Sequence, residues 1–298
     1  MPRRKARIVF SSASDLAPSF HKLFREITGS LFSVGFPASC SLCGEELKEP
    51  ALTGVCRLCW ASLEPWRGPV CDSCGLPFAS ERPGDAPPAL CAACRSGEFQ
   101  LDRARSFGLY SGSLRATILQ LKFHRRERLG KRLGGLLAQV WDEMEGELAG
   151  EQGVLVPVPL HVSRQRERGF NQAELLARGL AARLEKIRGG RVPQVDARSL
   201  GKIRATPPQT GLSVSARHEN VRGAFAALRP KRIHNKKIVL VDDVMTTGAT
   251  LSACAQALRS AGAQTVCALT LARATPEFPD TAMGSAGAIV DDFGPGRS

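Results

Sequence analysis

The stretch KKIVLVDDVMTTGATLSACAQAL, residues 236–258, decides the fold. Ile238, Val239, Leu240 and Val241 make a short continuous apolar run, with Val244 beyond the acids, as in a strand covered on both faces. The strand is expected to end at two adjacent carboxylates, Asp242 and Asp243. Thr246, Thr247, Gly248, Ala249 and Thr250 follow as a hydroxyl-rich turn. An amphipathic helical segment comes next, with Leu251, Cys254, Ala255 and Leu258 on one face. Such an arrangement suits a phosphorylated sugar. Unpaired N–H groups of the turn and first helical turn converge on an anion, and the threonine hydroxyls add donors. Gly248 lets the backbone approach closely, and the carboxylates can accept from ribose hydroxyls. The competing reading is a solvent-facing Asp-Asp turn followed by a threonine helix cap. No Lys follows the glycine, so the segment is not a Walker A loop and nucleoside triphosphate hydrolysis is not indicated.

VLVDDVMTTGAT, residues 239–250, resembles the phosphoribosyl pyrophosphate (PRPP) signature of type I phosphoribosyltransferases. The resemblance implies an α/β fold with a parallel sheet and flanking helices. It implies that Asp242 and Asp243 contact the ribose 2′ and 3′ hydroxyls. Thr246, Thr247, Gly248, Ala249 and Thr250 would hold the 5′-phosphate, and Mg²⁺ would accompany PRPP.

Bulk properties bound the rest. A chain of 298 residues can bury one sizeable core plus a smaller unit. Its formal charge of +13 and pI near 9.7 favour polyanionic partners: nucleic acid, a pyrophosphate substrate or an anionic membrane surface. No run of apolar residues is long enough to span a bilayer. Residues 1–9 are basic, but Asp15, His21, Lys22, Arg25 and Glu26 interrupt the region where a signal peptide needs an apolar core. The expected location is cytoplasmic. Residues 1–19 are expected to be a disordered basic N-terminus. Phe20, Leu23, Phe24, Ile27, Leu31 and Phe32 space an amphipathic helix over 20–37, which either packs on the next domain or makes peripheral membrane contact.

Eight of the ten cysteines fall between Cys40 and Cys94, as four C-x2-C pairs: Cys40/Cys43, Cys56/Cys59, Cys71/Cys74 and Cys91/Cys94. Two such pairs complete a tetrahedral zinc–sulfur site, so about two structural Zn²⁺ are expected over a double ribbon at 38–100. Gly44 and Gly75 follow second cysteines, where a knuckle turn takes a positive φ. Four disulfides are the alternative. Sequential and interleaved pairing of the knuckles are both open. Saturated four-thiolate sites leave no open position for catalysis. Pro83, Gly84, Pro87 and Pro88 mark a loop inside the second unit.

The domain expected at 101–273 opens with a short strand and turn at 104–112. A helical pattern follows from Leu114 to Val140. It contains Lys122, His124, Arg125, Arg126, Arg128, Lys131 and Arg132, either a solvated face or an anion and nucleic-acid surface. Residues 142–152 are acidic and read as an exposed connection. Val154–Leu160 is a second buried-type strand whose prolines belong at its end or at the sheet edge. A basic loop from His161 to Gly169, with Arg164, Arg166 and Arg168, leads into a helix through Phe170, Leu176, Leu180 and Leu184. Asp196–Leu200 and Val221–Ala226 suggest an antiparallel pair joined by a mobile loop containing Pro207, Pro208 and Gly211. Between residues 200 and 237 there are nine Lys or Arg and one acid, Glu219. Arg204, Arg217 and Arg222 are candidates to close over a reacting site and offset charge on a leaving group, or else are ordinary exposed cations. Thr265–Leu271 is the last strand. Cys254 and Cys267 read as small core residues, and residues 274–298 as a flexible tail.

Taken together, the cysteine-rich start, LKFHRRERLG, PVPL with RERGFNQAELLA, TPPQTGLSVSARHENVRGAF and the PRPP signature resemble the competence protein ComF family. The resemblance implies a phosphoribosyltransferase-like protein linked to natural transformation. Its expected partners are PRPP or a related phosphoribosyl compound, single-stranded DNA, and competence-related DNA-processing proteins. In type I phosphoribosyltransferases the loop after the second strand contacts pyrophosphate, which points to Arg168 and Gly169. If the chain turns over, the reaction is displacement of pyrophosphate from PRPP onto a nitrogenous acceptor, with Asp242, Asp243, Arg204 and Arg217 as the catalytic set. The competing class is a binding module, in which Trp60 and Trp66 either stack on bases or pack in the metal domain.

Overall fold

The computed structural model describes residues 39–47, 53–78, 89–123, 127–148, 153–190, 192–207 and 213–275. The expected N-terminal segments 1–19 and 20–37, the loop with Pro83 to Pro88, residues His124 to Arg126, Pro208 to Gly211 and the tail from residue 276 lie outside them. The chain divides into two compact units, Met1–Cys56 and Arg57–Ser298. In the first, Ser39 bridges Glu46 and the Ser41 amide donates to Gly54 O at 2.9 Å, framing the Cys40/Cys43 knuckle.

The second unit is built on a five-stranded, all-parallel sheet of order β1-β7-β6-β2-β3. Its strands are β1 (Arg103–Leu109), β2 (Val154–Pro157), β3 (Gln194–Val195), β6 (Lys237–Met245) and β7 (Thr265–Arg273). β4 (Leu200–Lys202) and β5 (Phe225–Ala227) form a separate antiparallel pair, Leu200 opposite Ala227. That is the expected pairing, displaced by a few residues. β6 lies at the centre, and Ile238, Val239, Leu240 and Val241 have no exposed surface, as the continuous apolar run requires.

Short helices α1 (Arg57–Ala61) and α2 (Ala92–Arg95) carry Cys59 and Cys94. Next come α3 (Gly112–Phe123), α4 (Glu127–Gly134) and α5 (Glu145–Leu148). Beyond β2 lie α6 (Val162–Arg168) and α7 (Gln172–Arg188), then α8 (Val214–Val221), α9 (Pro230–Ile233) and α10 (Ala249–Ser260). Leu251, Cys254, Ala255 and Leu258 are buried on α10, and Cys267 is buried in β7.

Several elements differ from the sequence reading. β6 does not stop at the acid pair, because β7 stays in register with it as far as Met245 opposite Arg273. The single helix expected over 114–140 ends as α4 and a 3-10 turn at Gly135–Gln139. Here α4 crosses α7 almost backbone to backbone. A Cβ on Gly134 would sit 2.2 Å from Leu176 O, and one on Gly179 2.0 Å from Lys131 O. The basic segment after β2 is a helix, α6, rather than a loop; its cap His161 accepts from the Ser163 amide and Gly169 closes it with φ +81°. Part of the supposed mobile loop is α8, capped by Ser213. The acidic stretch 142–148 is not a free connection either. Met144 and Leu148 are buried, and Glu143 pairs with Arg105 at 2.6 Å, Glu147 with Arg103 and Asp142 with Arg188.

Candidate functional site

The chain leaves β2 toward β3 on one side and β6 toward β7 on the other, so the sheet has its topological switch point between β2 and β6. Ligands of open parallel sheets bind outside the carboxyl ends of strands at such a point. Two cavities meet there. One, of about 340 Å³, is lined by Tyr110, Lys122, Arg217, Asp242, Asp243 and the loop from Val244 to Leu251, without Thr247. The other, of about 200 Å³, adds Arg164, Arg168, Lys202 and the backbone turn Val158–Leu160, and shares Lys122, Asp242, Asp243 and Thr250 with the first.

The loop after β6 leads directly into α10. Gly248 adopts φ +82° at the start of α10, and the Thr247 hydroxyl accepts from the Ala249 amide at 3.3 Å. Gly248, Ala249, Thr250 and Leu251 at the start of this twelve-residue helix line the cavity, where first-turn amides lack intrahelical partners.

Past Val241 the side chains of β6 alternate, so Asp243 and Met245 are buried while Asp242 and Val244 are half-buried. Asp243 is tolerated there because Lys122 Nζ lies 3.2 Å from its Oδ2. Burial works against the charge on Lys122, yet Asp243, Tyr110 and Asp242 together raise its pKa above the ordinary lysine value. Asp242 moves the other way for an acid. Burial first, and the neighbouring Asp243 second, push its pKa up to about 7. Its Oδ1 accepts from the Asp243 amide at 2.9 Å.

The cations divide into groups. Arg217 Nε is buried in the first cavity with no hydrogen-bond partner among the described residues. Arg168 lines the second cavity and donates to Gln172 Oε1 at 3.1 Å, while Gly169 serves as the cap of α6. Arg204 instead donates to the carbonyls of Asn220 and Arg222, at 3.1 and 2.6 Å, and is exposed; it lines neither cavity. Arg222 is exposed as well.

Lys122, Lys202 and Tyr110 were missed as site residues. Lys122 reads in sequence as one more member of a basic run, whereas the structure separates it from Arg128 and Lys131, which are exposed on α4. The available signal was its place one residue after Leu121, which is fully buried on α3. Trp60 is half-buried, with the Arg132 guanidinium stacked 3.8 Å from its ring centroid.

The eight ribbon cysteines gather as two clusters. Cys40, Cys43, Cys56 and Cys59 form one, Cys71, Cys74, Cys91 and Cys94 the other, with ligand atoms in each within 4.8 Å of one another. The pairing is sequential. No disulfide joins them. Sulfur separations of 3.8 Å (Cys43–Cys56), 3.7 Å (Cys71–Cys94) and 3.5 Å (Cys74–Cys91) match the edge of about 3.8 Å expected when four sulfurs sit about 2.3 Å from one zinc. Amides of Cys56 and Cys91 point at Cys40 Sγ and Cys71 Sγ, at 3.3 and 3.4 Å, as thiolate ligands require. The donor set fits structural zinc.

Parallel sheet, switch-point loop and cysteine clusters define a phosphoribosyltransferase-type α/β protein preceded by a zinc-ribbon-like module. Residues 31–95 match the double zinc ribbon domain and residues 168–283 the phosphoribosyl transferase domain. DNA utilization protein YhgH of Salmonella typhimurium is 34% identical over 234 residues, 77% of this chain and 94% of the relative. Competence protein F of Haemophilus influenzae is 29% identical, over 75% of this chain and 92% of its own. Competence protein ComFC of Bacillus subtilis is 26% identical, over 74% and 84%. The chain belongs to this ComF, ComFC and YhgH family.

Proposed function

We propose that the chain binds PRPP with Mg²⁺ at the carboxyl end of β6 and takes part in cytoplasmic handling of single-stranded DNA during natural transformation. One observation carries the first half: the acid pair, Lys122, Arg217, Thr246 and the segment from Gly248 to Thr250 line a single cavity. The turn and the start of α10 supply amides for the 5′-phosphate. Asp242 and Asp243 accept from the ribose hydroxyls, with Lys122 as the counter-ion beside Asp243. Arg217 and Arg168 face the diphosphate from its two sides. Mg²⁺, when bound, neutralises diphosphate and ribose oxygens. The zinc clusters shape the fold and take no chemical part.

The DNA half is supported by the relatives, which are named for DNA utilization and competence. A formal charge of +13 and the exposed Arg128 and Lys131 supply a surface for phosphates. A second reading, turnover, is favoured by the buried, unpartnered Nε of Arg217 beside the acid pair. That group would stabilise departing pyrophosphate as a nitrogenous acceptor attacks C1 of the ribose.

Thermal unfolding with and without PRPP–Mg²⁺ tests the binding reading. PRPP raises the melting temperature of the wild type by mass action, and Asp242→Asn with Asp243→Asn abolishes that rise while the protein still unfolds cooperatively. An equal rise in the double variant contradicts the assignment. Pyrophosphate release in the presence of nucleobase or amine acceptors separates turnover from binding alone.

A further inference from the structure

Two side chains run from the second cysteine cluster to the phosphate loop. Arg273, the last residue of β7, is only 6% exposed. Its Nη1 donates to the carbonyl oxygen of Thr246, and its Nη2 lies 4.0 Å from Cys74 Sγ. Phe99 packs against the buried group of Cys71, Cys74 and Cys91. The same ring fills the space over Gly248, where a Cβ would meet Phe99 Cε2 at 3.2 Å. One residue on, the Gln100 amide lies 3.4 Å from Ser252 Oγ in the first turn of α10. Polar and apolar contacts therefore reach the loop from the same cluster by independent routes.

The chemistry of these contacts gives them a direction. Four thiolates on a divalent ion leave a net charge of about −2, and a buried guanidinium beside them is a matching counter-charge. With one arm held by the cluster, the other is fixed toward the Thr246 carbonyl. Thr246 opens the turn and lines the cavity, and its carbonyl shares a peptide plane with the Thr247 amide, so fixing one fixes the other. Phe99 fixes the other side of that turn at Gly248, where the left-handed backbone of φ +82° already excludes a side chain.

We propose that the Cys71–Cys74–Cys91–Cys94 cluster is a strut for the phosphate loop, with Arg273 and Phe99 as positioning residues, so that metal held by these cysteines and sugar-phosphate held by the loop strengthen each other. The inference rests on the PRPP reading for its ligand but not for its structural link. Coupling between two sites is reciprocal. PRPP must therefore raise the affinity of this cluster for its metal by the factor by which the metal tightens PRPP.

The test uses the full chain loaded with zinc, excess Mg²⁺, a zinc chelator that leaves Mg²⁺ in solution, and a thiol-alkylating reagent read out by peptide mass spectrometry. PRPP is expected to slow modification of Cys71, Cys74, Cys91 and Cys94 by roughly fivefold or more, the low end of ordinary coupling. Cys40, Cys43, Cys56 and Cys59 are modified at an unchanged rate. Arg273→Gln retains about two zinc ions per chain yet loses the PRPP protection, and Arg273→Lys restores part of it. Hydrogen exchange of the amides at 246–252, measured without ligand at equal zinc content, is faster in Arg273→Gln and in Phe99→Ala than in the wild type. Equal protection of both clusters, or protection of neither in protein whose melting temperature PRPP raises, overturns the link. If PRPP produces no thermal rise at all, the binding reading fails by itself and the exchange arm decides: unchanged exchange at 246–252 in both variants overturns the strut.

Discussion

The two cysteine clusters share a motif and a ligand set but differ in setting. In the first, Cys40 is buried, Cys56 and Cys59 are half-buried and Cys43 is exposed. In the second, Cys71, Cys74 and Cys91 are buried and only Cys94 is half-buried. The second cluster also has a buried arginine at Cys74, and Phe99, which packs on it and on the core beside the sheet as well. Identical C-x2-C spacing therefore supports two roles. The first cluster is the more exposed of the two, whereas the second is joined to the loop after β6 through Arg273 and Phe99. Spacing reports the metal, and only packing reports what the metal holds in place.

The largest predicted difference follows from removing each cluster in turn. Structural zinc contributes on the order of 10 kcal/mol to small metal domains, so either loss is costly locally. Cys74→Ser should leave about one zinc per chain and remove the thermal response to PRPP. Cys43→Ser should also leave about one zinc but keep that response. Elemental analysis paired with thermal scans checks both. Loss of the PRPP response in both variants, or in neither, would erase the proposed distinction.

A smaller effect concerns the acid pair. Burial raises the folded pKa of Asp242 above its unfolded value to about 7, so ionising it in the native state costs stability as pH rises between those two values. Asp242→Asn should therefore be stabilising relative to wild type, by an amount that grows from about pH 4 to about pH 7 and then levels. PRPP affinity of the wild type should climb over the upper part of the same window, because the ribose hydroxyls need the ionised acceptor. Denaturant unfolding and calorimetric titration at several pH values follow the two trends, and a flat difference between variant and wild type would refute the assigned pKa. The smallest effects lie on the exposed side. Arg132→Ala should cost about 0.5–1 kcal/mol through the lost contact with Trp60. Arg128→Ala with Lys131→Ala should flatten the salt dependence of single-stranded DNA binding by roughly 0.7 per cation that contacts phosphate. An unchanged slope would remove α4 from the DNA surface.

The central strand, the loop and the cysteine pairs were legible in the sequence because each is local. A continuous apolar run, two acids, small hydroxylated residues and a repeated spacing all fall within a few residues of one another. The family resemblance came from the same local motifs. What was not legible depends on contacts across long separations. Lys122 reaches Asp243 across 121 positions, which no periodicity signals. The acid-rich stretch at 142–148 looked exposed because its arginine partners, Arg103, Arg105 and Arg188, lie on other elements. The break between α4 and the following 3-10 turn is set by how closely α7 approaches Gly134. The helix α6 hid behind its arginines, since His161 and Gly169 are modest capping signals beside so many charges.

Lys122 gives the most direct test of the whole account, because the basic run reads as a solvated face or an anion and nucleic-acid surface, whereas the geometry puts Lys122 in the cavity beside Asp243. Calorimetric titration of PRPP–Mg²⁺ into wild type, Lys122→Gln, and Arg128→Ala with Lys131→Ala separates the two. We predict that Lys122→Gln weakens PRPP binding by about tenfold or more, since a charged hydrogen-bonding partner contributes about 1.5–3 kcal/mol, while the Arg128 and Lys131 variant binds PRPP as the wild type does. Wild-type PRPP affinity in Lys122→Gln would contradict the account.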